Sequence, residues 1–340
     1  MKVKLIDVAR DAGVSEATAS LVLNRRPGVK KDTRKRVLEA AQRLGYTPHP
    51  IARNLATRRS NTIGLVVTDI SNPFFGALTR SMDHYVKEKS YSLILSLSDD
   101  DIAKEDQIIE DFIVKTVDGV IIVPALHRPR SDYGVFKHLE NLSIPYVFAT
   151  SYYPGLEADC VMADLSQGAY LLARHILRSG VRDIRFLGVK NREVIPVAER
   201  LGGIRKALEE EGLPYRDDIL IRGDDATYES GYRAVSDLLG REKPEALLAI
   251  NDIMALGAYR AIREKGYRIP EDILVAGYDD LIYSQVAGVP LSTVRQDIDG
   301  ICERAVNRLI SRIDGEDGGG ILKDYLETTL IIRESTDKPA

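Results

Sequence analysis

The 340-residue sequence has few of the features that mark secreted, membrane-spanning or metal-binding proteins. Its two cysteines, Cys160 and Cys302, are too few for a disulfide framework or a zinc module, and its five histidines show no metal-ligand spacing. No apolar run approaches the roughly 18 residues that a membrane span needs. The N-terminus lacks the charged and then apolar pattern of a signal peptide. We therefore expect a cytoplasmic protein that has no membrane partner and needs no metal or cofactor.

Motifs for nucleotide-dependent or covalent catalysis are also missing. No G-x-G-x-x-G follows a predicted strand, and GEDGGG at 315–320 lacks the lysine of a phosphate-binding loop. Four histidines lie on unrelated segments: His84, His127, His138 and His175. No activated serine, cysteine or histidine constellation is visible, so the sequence predicts no enzyme.

Charge is distributed unevenly along the chain. Residues 1–60 contain fourteen Lys and Arg against five Asp and Glu, a net charge of +9, whereas residues 61–340 carry −13. Most charge runs are only solvated surface. A small basic segment on a large acidic body is instead typical of a protein whose basic part alone binds a polyanion.

The basic segment has the spacing of three short helices. Apolar residues of LIDVARDA recur at helical spacing, Gly13 ends this helix, and Ser15 can cap a second helix, EATASLVLN. A third helix is predicted from about Lys31 to Leu44. Its apolar stripe consists of Val37, Leu38, Ala41 and Leu44. Two short helices around a glycine turn form a helix-turn-helix unit, which together with the charge favours DNA binding over a purely structural role.

An ordered series of motifs resembles the LacI/GalR family of bacterial transcription regulators. It begins with IDVARDAGVSEATASLVLN, TRKRVLEAAQRLGYTPHPIARNLATRRSNTIGLVV and DISNPFF, and continues with SGYRA, AINDIMALGAYRAI, IPEDILVAGYDD and LSTVRQD. The series covers nearly the whole chain, so it is far more specific than a lone helix-turn-helix pattern. The resemblance implies a small all-α helix-turn-helix head, joined by a hinge helix to a two-lobed α/β effector domain with parallel sheets, like that of periplasmic binding proteins.

The resemblance also implies which residues of the head contact DNA, because the second helix of such regulators enters the major groove. These residues are Ser15, Glu16, Ala17, Thr18, Ser20, Leu21, Asn24 and Thr33. Leu21 stands where many family members carry arginine, and it can touch a thymine methyl group or a sugar but cannot pair with guanine. Glu16 either accepts a hydrogen bond from cytosine or only stabilises the helix N-terminus.

Residues 47–60 are predicted to be the hinge. Two prolines break the third helix there, which a generic linker would also explain. The resemblance instead implies a helix that orders on DNA, pairs with that of a dimer mate and wedges a leucine into the minor groove. The hinge residues implied to contact DNA are Ala52, Arg53, Leu55 and Arg58.

From residue 61 onward, apolar strands alternate with helical segments, which predicts parallel sheets with helices on both faces. The predicted strands are TIGLVV, YSLILSL, GVIIV, PYVFA, CVMA, IRFLG, ALLAI and ILVAG. The predicted helical segments include 74–89, 104–115, 166–179, 200–211, 228–239 and 253–265. This pattern suggests two lobes of the same kind.

The sequence thus divides into a DNA-binding head at 1–46, a hinge at 47–60 and an effector-binding and dimerisation domain at 61–335. We expect the first lobe at about 61–162 plus 292–322, and the second at about 163–291 plus 323–335.

Open parallel sheets bind ligands beyond the carboxyl ends of their strands. The residues there that match the family's effector positions are Asn72, Phe74, Phe75, Thr150, Arg200, Asn251 and Asp279. Each alone is more often a core residue, a helix cap or a solvated side chain. Together they suit a small polar ligand, because arginine and aspartate can bond adjacent hydroxyls and an aromatic ring can stack on an apolar face.

A sugar or sugar derivative is the expected effector. The alternatives are a nucleobase-like or phosphorylated metabolite acting as corepressor, or a solute-binding body without regulation. Val194, Ile195, Pro196 and Thr150 depart from common family residues, which indicates either a more apolar pocket or a ligand other than a simple hexose. The expected partners are pseudopalindromic double-stranded operator DNA and a second copy of the chain. The segment 74–89 is a candidate dimer face, unless its apolar residues pack on their own sheet.

Overall fold

The computed structural model describes residues 3–23, 27–46, 59–126, 128–129, 132–316 and 319–337. The chain forms two compact units, residues 1–60 and 61–340. Five residues predicted to contact DNA lie outside the described residues: Asn24, Ala52, Arg53, Leu55 and Arg58. No helix in the described part of the chain is long and apolar enough to span a membrane.

Three helices form the head: α1 (Leu5–Ala12), α2 (Glu16–Leu23) and α3 (Lys31–Arg43). Gly13 joins α1 to α2 with a φ of 65°, a left-handed conformation that glycine adopts without strain. The hydroxyl of Ser15 accepts a hydrogen bond from the Thr18 amide at 3.2 Å, as expected of an N-cap. The predicted helix-turn-helix unit is therefore confirmed.

Small apolar residues close the core of the head. The buried ones are Val8, Ala9, Ala12, Ala19, Val22, Val37, Ala40 and Ala41. The prediction that Leu38 belongs to this core is wrong, because its side chain is 50% exposed. Successive helical residues are turned by about 100°, so Val37 and Ala40 share a face that excludes residue 38.

The larger unit, the body, alternates strands and helices. Its strands are β1 (Thr62–Val67), β2 (Ser92–Leu97), β3 (Gly119–Ile122), β4 (Tyr146–Ala149), β5 (Asp159–Ala163), β6 (Ile184–Val189), β7 (Leu220–Gly223), β8 (Ala246–Ala249), β9 (Leu274–Ala276), β10 (Thr293–Arg295), β11 (Lys323–Leu326) and β12 (Thr329–Ile331). Its helices are α4 (Pro73–Glu88), α5 (Ile102–Val114), α6 (Gly134–Asn141), α7 (Leu165–Arg178), α8 (Ile195–Glu210), α9 (Tyr228–Leu239), α10 (Asp252–Glu264), α11 (Ile282–Val286) and α12 (Ile298–Asp314).

The first lobe is built on a parallel sheet in the order β11-β5-β4-β3-β1-β2. Every residue of β3, β4 and β5 is buried, so both faces of the sheet are covered. Helix α12 packs against α4 and against β3, β4 and β5, while α5 packs against α6 and β1. The second lobe repeats this arrangement on a parallel sheet in the order β7-β6-β8-β9, with the helix pairs α7/α8 and α9/α10.

The chain crosses between the lobes at three crossover segments: Asp164 between β5 and α7, 296–297 between β10 and α12, and 327–328 between β11 and β12. β10 and β12 form an antiparallel pair that contacts α7 of the second lobe. The lobe limits therefore differ from those expected. Residues 293–295 belong with the second lobe, and 323–326 pair with β5 in the first.

The predicted strands all occur with nearly the predicted bounds. Helix α8 begins at Ile195 rather than at Arg200, because Pro196 lies in its first turn, where a proline removes no helical hydrogen bond. The apolar residues of α4 that could face a dimer mate are Phe74, Leu78, Met82 and Tyr85, of which the first three are buried and Tyr85 is half-buried. They pack with their own lobe, so this helix face is not an exposed surface.

Candidate functional site

A cavity of about 480 Å³ lies between the two lobes of the body, at the carboxyl ends of both sheets. The structure brings all seven predicted effector residues to its surface. The first lobe contributes Asn72, Phe74, Phe75 and Thr150, and the second contributes Arg200, Asn251 and Asp279. The binding sites of proteins that bind small molecules usually have volumes in this range.

Arg200 is a buried cation with hydrogen-bonding capacity to spare. It is 4% exposed, one guanidinium nitrogen donates to the Pro196 carbonyl at 2.9 Å, and the guanidinium carbon lies 3.9 Å from the centre of the Tyr278 ring. Its Nε–H finds no hydrogen-bond partner among the described residues. Burial lowers the pKa of Arg200. An unpaired buried donor costs free energy, so an acceptor oxygen of a ligand would be stabilised here.

Asp279 lies directly after Tyr278 at the end of β9, in a conformation unusual for aspartate. Its φ is 103°, and its amide donates to the Val294 carbonyl at 2.8 Å. Its carboxylate accepts a hydrogen bond from the Gln296 side chain at 2.7 Å. Burial raises the pKa of Asp279 to about 6, although the Arg200 cation acts in the opposite direction. Strained backbone of this kind is often found at ligand sites.

Asn251 has both a capping role and a place on the cavity surface. Its side-chain oxygen accepts from the Met254 amide at 2.8 Å and caps α10, while its nitrogen donates to the Ala226 carbonyl at 3.0 Å. The neighbouring Asp252 does not line the cavity. It is fully buried, accepts three hydrogen bonds and holds α10 to Leu281, Ser284 and Thr293. Burial raises the pKa of Asp252 to about 7.

The first lobe adds an aromatic and apolar surface to the cavity beside its polar residues. Asn72 caps α4 by accepting from the Phe74 amide at 3.1 Å. The Phe74 and Phe75 rings meet edge to face, 5.2 Å apart, and Phe75 is half-buried. Thr150 has a φ of 67° and donates its amide to the Val161 carbonyl at 2.9 Å. These residues provide an aromatic face beside polar backbone.

A buried glutamate holds the loop that completes this apolar surface. Glu105 accepts from the Ala125 amide at 2.9 Å, from Arg128 at 2.8 Å and from the Tyr153 hydroxyl. The loop contributes Val123, Pro124 and Leu126 to the cavity. Burial raises the pKa of Glu105, while its hydrogen bonds act against that shift. These hydrogen bonds therefore hold the loop that forms this part of the cavity wall.

Sequence reasoning missed several polar residues of the cavity: Thr68, Asp69, Asp99, Asp100, Ser151, Asp225, Thr227 and Gln296. Asp225 and Gln296 follow β7 and β10, which were not predicted as strands. β7 (LIRG) and β10 (TVR) contain only two and one large apolar residues, so neither stands out in the sequence as an apolar run. The rule that ligands bind at strand ends would have located both residues had these strands been recognised.

In the head, the predicted DNA-contacting residues that the structure describes lie at the start and on the outer side of α2, except Thr33, which lies in the first turn of α3. Ser15, Glu16, Ala17 and Leu21 are exposed, and Thr18, Ser20 and Thr33 are partly exposed. The opposite side of α2 carries Ala19 and Val22 into the core. Exposed cations on the head include Lys4, Arg10, Lys30, Lys31, Lys35 and Arg36. The helix thus presents a polar face on a basic surface.

Two family models match this chain. Residues 4–49 match the model described as bacterial regulatory proteins, lacI family, and residues 173–336 match a periplasmic binding protein-like domain. Catabolite control protein A of Priestia megaterium is 35% identical over 319 residues, which cover 92% of this chain and 94% of that protein.

Solved structures of two regulators are similar over nearly the whole length. The lac repressor dimer bound to operator and the anti-inducer ONPF has a TM-score of 0.86 and 27% identity, with 99% of each chain covered. The transcriptional regulator CelR in complex with cellobiose has a TM-score of 0.73 and 29% identity, with 98% of this chain and 100% of that chain covered. The head and body described above occur together in both.

Proposed function

The chain belongs to the LacI family of bacterial regulatory proteins and is a DNA-binding transcription regulator, and we propose that it represses transcription as a homodimer whose operator affinity depends on a neutral sugar bound between the lobes. The observation that carries the ligand proposal is the cavity in which Arg200 and Asp279 face the predicted residues of the first lobe. We propose a binding role without catalysis.

DNA binding is assigned to the outer side of α2. Residues that can meet base edges or phosphates are exposed there, and the surrounding head is basic. Phosphate contacts by lysine and arginine make affinity fall steeply with salt. We therefore expect a steep salt dependence of DNA binding, which a solute-binding body without regulation would not have.

The charge of the cavity supports a neutral ligand over a phosphorylated one. Its carboxylates are Asp69, Asp99, Asp100, Asp225 and Asp279. Among the described residues that line it, Arg200 is the only cation. Placing a phosphate among these carboxylates would bring like charges together, which costs several kcal/mol. Hydroxyl groups can instead donate to carboxylates and accept from Arg200. The fold-related regulator CelR, solved with cellobiose, supports the same class of ligand.

Two apolar surfaces of the body support a homodimer. β2 is an edge strand of the first sheet, and its central residues are only partly buried. On the second lobe, α11 exposes Ile282, Tyr283 and Val286 by 60%, 49% and 72%. An uncovered edge strand and an exposed apolar patch both favour association. A two-fold dimer would present two heads to two half-sites.

The test combines a ligand screen with DNA binding. Glucose, galactose, ribose and cellobiose are compared with glucose 6-phosphate and adenine by thermal shift, because a specific ligand raises stability by mass action. DNA selected from random duplexes then serves for fluorescence anisotropy, with and without the best ligand. We expect a neutral sugar to raise the melting temperature and to change DNA affinity.

The matched variants are Arg200→Ala and Arg205→Ala, which lie on the same helix, α8. Arg205 is exposed and pairs with Glu209, away from the cavity. Loss of a charged hydrogen-bond donor costs about 1.5–3 kcal/mol, so Arg200→Ala should weaken sugar binding at least tenfold and leave DNA affinity unchanged. A shift produced only by glucose 6-phosphate or adenine, or an Arg200→Ala variant that responds like the parent, would contradict the proposal.

A further inference from the structure

Tyr278 lies behind the cavity and touches its buried cation. The residue follows β9, is 1% exposed and is not among the described residues that line the cavity. The face of its ring lies 3.9 Å from the guanidinium carbon of Arg200. Arginine stacked on an aromatic ring is held by electrostatic attraction that strengthens when water is excluded. A displacement of the Arg200 guanidinium therefore acts directly on the Tyr278 ring.

The Tyr278 hydroxyl reaches the segments that connect the lobes. It donates to the carbonyl of Leu165 at 3.3 Å, directly after the first crossover segment. A Cβ atom placed on Gly168 would lie 2.2 Å from this hydroxyl, 2.7 Å from Val294 and 2.8 Å from the Thr328 hydroxyl. The hydroxyls of Tyr278 and Thr328 and the side chain of Val294 therefore lie close together around Gly168. Leu165, Val294 and Thr328 lie in or near the first, second and third crossover segments, respectively.

The Tyr278 hydroxyl fits at this point because the facing residue of α7 is a glycine. Gly168 lies inside α7, where glycine costs about 1 kcal/mol relative to alanine. The missing side chain leaves the space that the Tyr278 hydroxyl occupies. The Thr328 hydroxyl and amide both donate to Gln167, each at 3.1 Å. A buried phenol requires a hydrogen-bond partner that phenylalanine would not.

We propose that Tyr278 is a positioning residue that couples occupancy of the cavity to the relative orientation of the two lobes. The proposal rests on the proposed function, because it takes the ligand to be a neutral sugar that accepts a hydrogen bond from Arg200. The bound oxygen draws the guanidinium into the cavity, the stacked ring follows, and the hydrogen bond to Leu165 changes at the first crossover segment. A ligand shifts a two-state protein only through contacts that differ between the states, and this hydroxyl is such a contact.

Tyr278→Phe tests this role, because it removes the hydroxyl and keeps the ring under Arg200. Tyr259→Phe is the matched control, since Tyr259 is also buried and its hydroxyl donates to Val289 within the second lobe at 3.1 Å. Thr328→Val perturbs the same point from the third crossover segment, which keeps the test available if Tyr278→Phe folds poorly. Each full-length protein is titrated with the sugar found among glucose, galactose, ribose and cellobiose.

The measurements are the sugar dissociation constant by calorimetry and the DNA dissociation constant by anisotropy, with and without sugar. We expect Tyr278→Phe and Thr328→Val to bind sugar within about threefold of the parent, while the sugar-induced change in DNA affinity falls at least fivefold. Tyr259→Phe should respond like the parent. A merely structural hydroxyl would lower the melting temperature of Tyr278→Phe and Tyr259→Phe alike without this split.

Two results would overturn the proposal and can be told apart. If the parent responds to a sugar and Tyr278→Phe and Thr328→Val respond equally, Tyr278 does not couple the cavity to the crossover segments. If no sugar of the panel stabilises the parent or changes its DNA affinity, the proposed function itself fails and the coupling fails with it.

Discussion

At the scale of single residues, the two buried charges of the cavity are stabilised differently. Arg200 makes one backbone hydrogen bond and a ring contact, whereas the Asp279 carboxylate accepts a hydrogen bond from the Gln296 side chain. Desolvation acts on both and disfavours both charged forms. The arginine stays protonated at any ordinary pH, so only the aspartate can titrate in an accessible range.

Asp279→Asn should change how sugar binding depends on pH. The pKa of Asp279 is raised from the ordinary value of 3.8 to about 6, so the parent loses this acceptor charge as pH falls below about 6. Sugar affinity of the parent should therefore weaken between pH 7 and pH 5, roughly tenfold at pH 5 if the carboxylate form is required. The asparagine variant should bind more weakly at pH 7 and show a flatter profile, measured by calorimetry at several pH values.

The same titration affects stability with the opposite sign. Between pH 3.8 and about 6 the folded protein holds a proton at Asp279 that the unfolded chain has lost. The contribution of this group to the free energy of unfolding therefore falls as pH rises through that window and is constant above it. Asp252, with a pKa of about 7, adds a similar trend that persists in the variant. A parent and Asp279→Asn with identical melting-temperature profiles would contradict the assignment.

At the scale of elements, the second lobe contains the same close helix contact twice. A Cβ on Gly203 of α8 would lie 2.1 Å from the Ser166 carbonyl of α7, and a Cβ on Gly257 of α10 would lie 2.1 Å from the Tyr228 carbonyl of α9. In each pair a tyrosine of the first helix donates to a glutamate seven residues after the glycine: Tyr170 to Glu210 at 2.7 Å, and Tyr232 to Glu264 at 2.6 Å. A cation three residues after each glycine, Lys206 or Arg260, lies over the same ring. The glycines therefore set the distance between the helices.

Gly203→Ala should destabilise the body, because the clashing atoms belong to backbone and cannot move aside. Overpacking of this kind costs about 1–3 kcal/mol. The adjacent Gly202→Ala is the control, since its Cβ would meet nothing closer than the Ser166 hydroxyl oxygen at 3.9 Å. It should be neutral or stabilising by up to about 1 kcal/mol through helix propensity. Urea unfolding followed by circular dichroism compares the two, and equal midpoints would contradict the close contact.

At the scale of the whole molecule, the proposed homodimer requires an interface on the exposed surface of each body. Most of the apolar residues of α4 pack inside their own lobe, so the surfaces that we propose for a second copy are the exposed side of α11 and the edge strand β2. Without pairing, one helix-turn-helix head would contact only a half-site.

Val286→Asp should therefore produce monomers and weaken operator binding. Val286 is 72% exposed on α11, and a buried unpaired carboxylate at an interface is strongly unfavourable. Val114→Asp is the matched control, because Val114 is 80% exposed at the last residue of α5 in the first lobe, whereas α11 belongs to the second lobe. Sedimentation at micromolar concentration should show a monomer only for Val286→Asp. If that variant sediments as the parent does, α11 is not part of the dimer interface.

The sequence by itself determined the helices and strands that follow from the spacing of apolar residues and from turn residues. The bounds of α1 follow from its apolar spacing and Gly13, and the strands β1 and β3 to β6 follow from apolar runs that only two covered sheet faces can bury. Since parallel strands end at one edge, residues after separate strands could be predicted to share a cavity, and the structure brings all seven of them to one.

Only the tertiary structure decided which side chains meet across long stretches of chain. The stack of Arg200 on Tyr278, the hydrogen bond from Tyr278 to Leu165 and the pairing of β11 with β5 join residues that are far apart in sequence. The spacing of apolar residues determines which face of a helix or strand is buried, but not which element packs against that face. Which apolar face is core, as in α4, and which stays exposed, as in α11, depends on which elements pack against it.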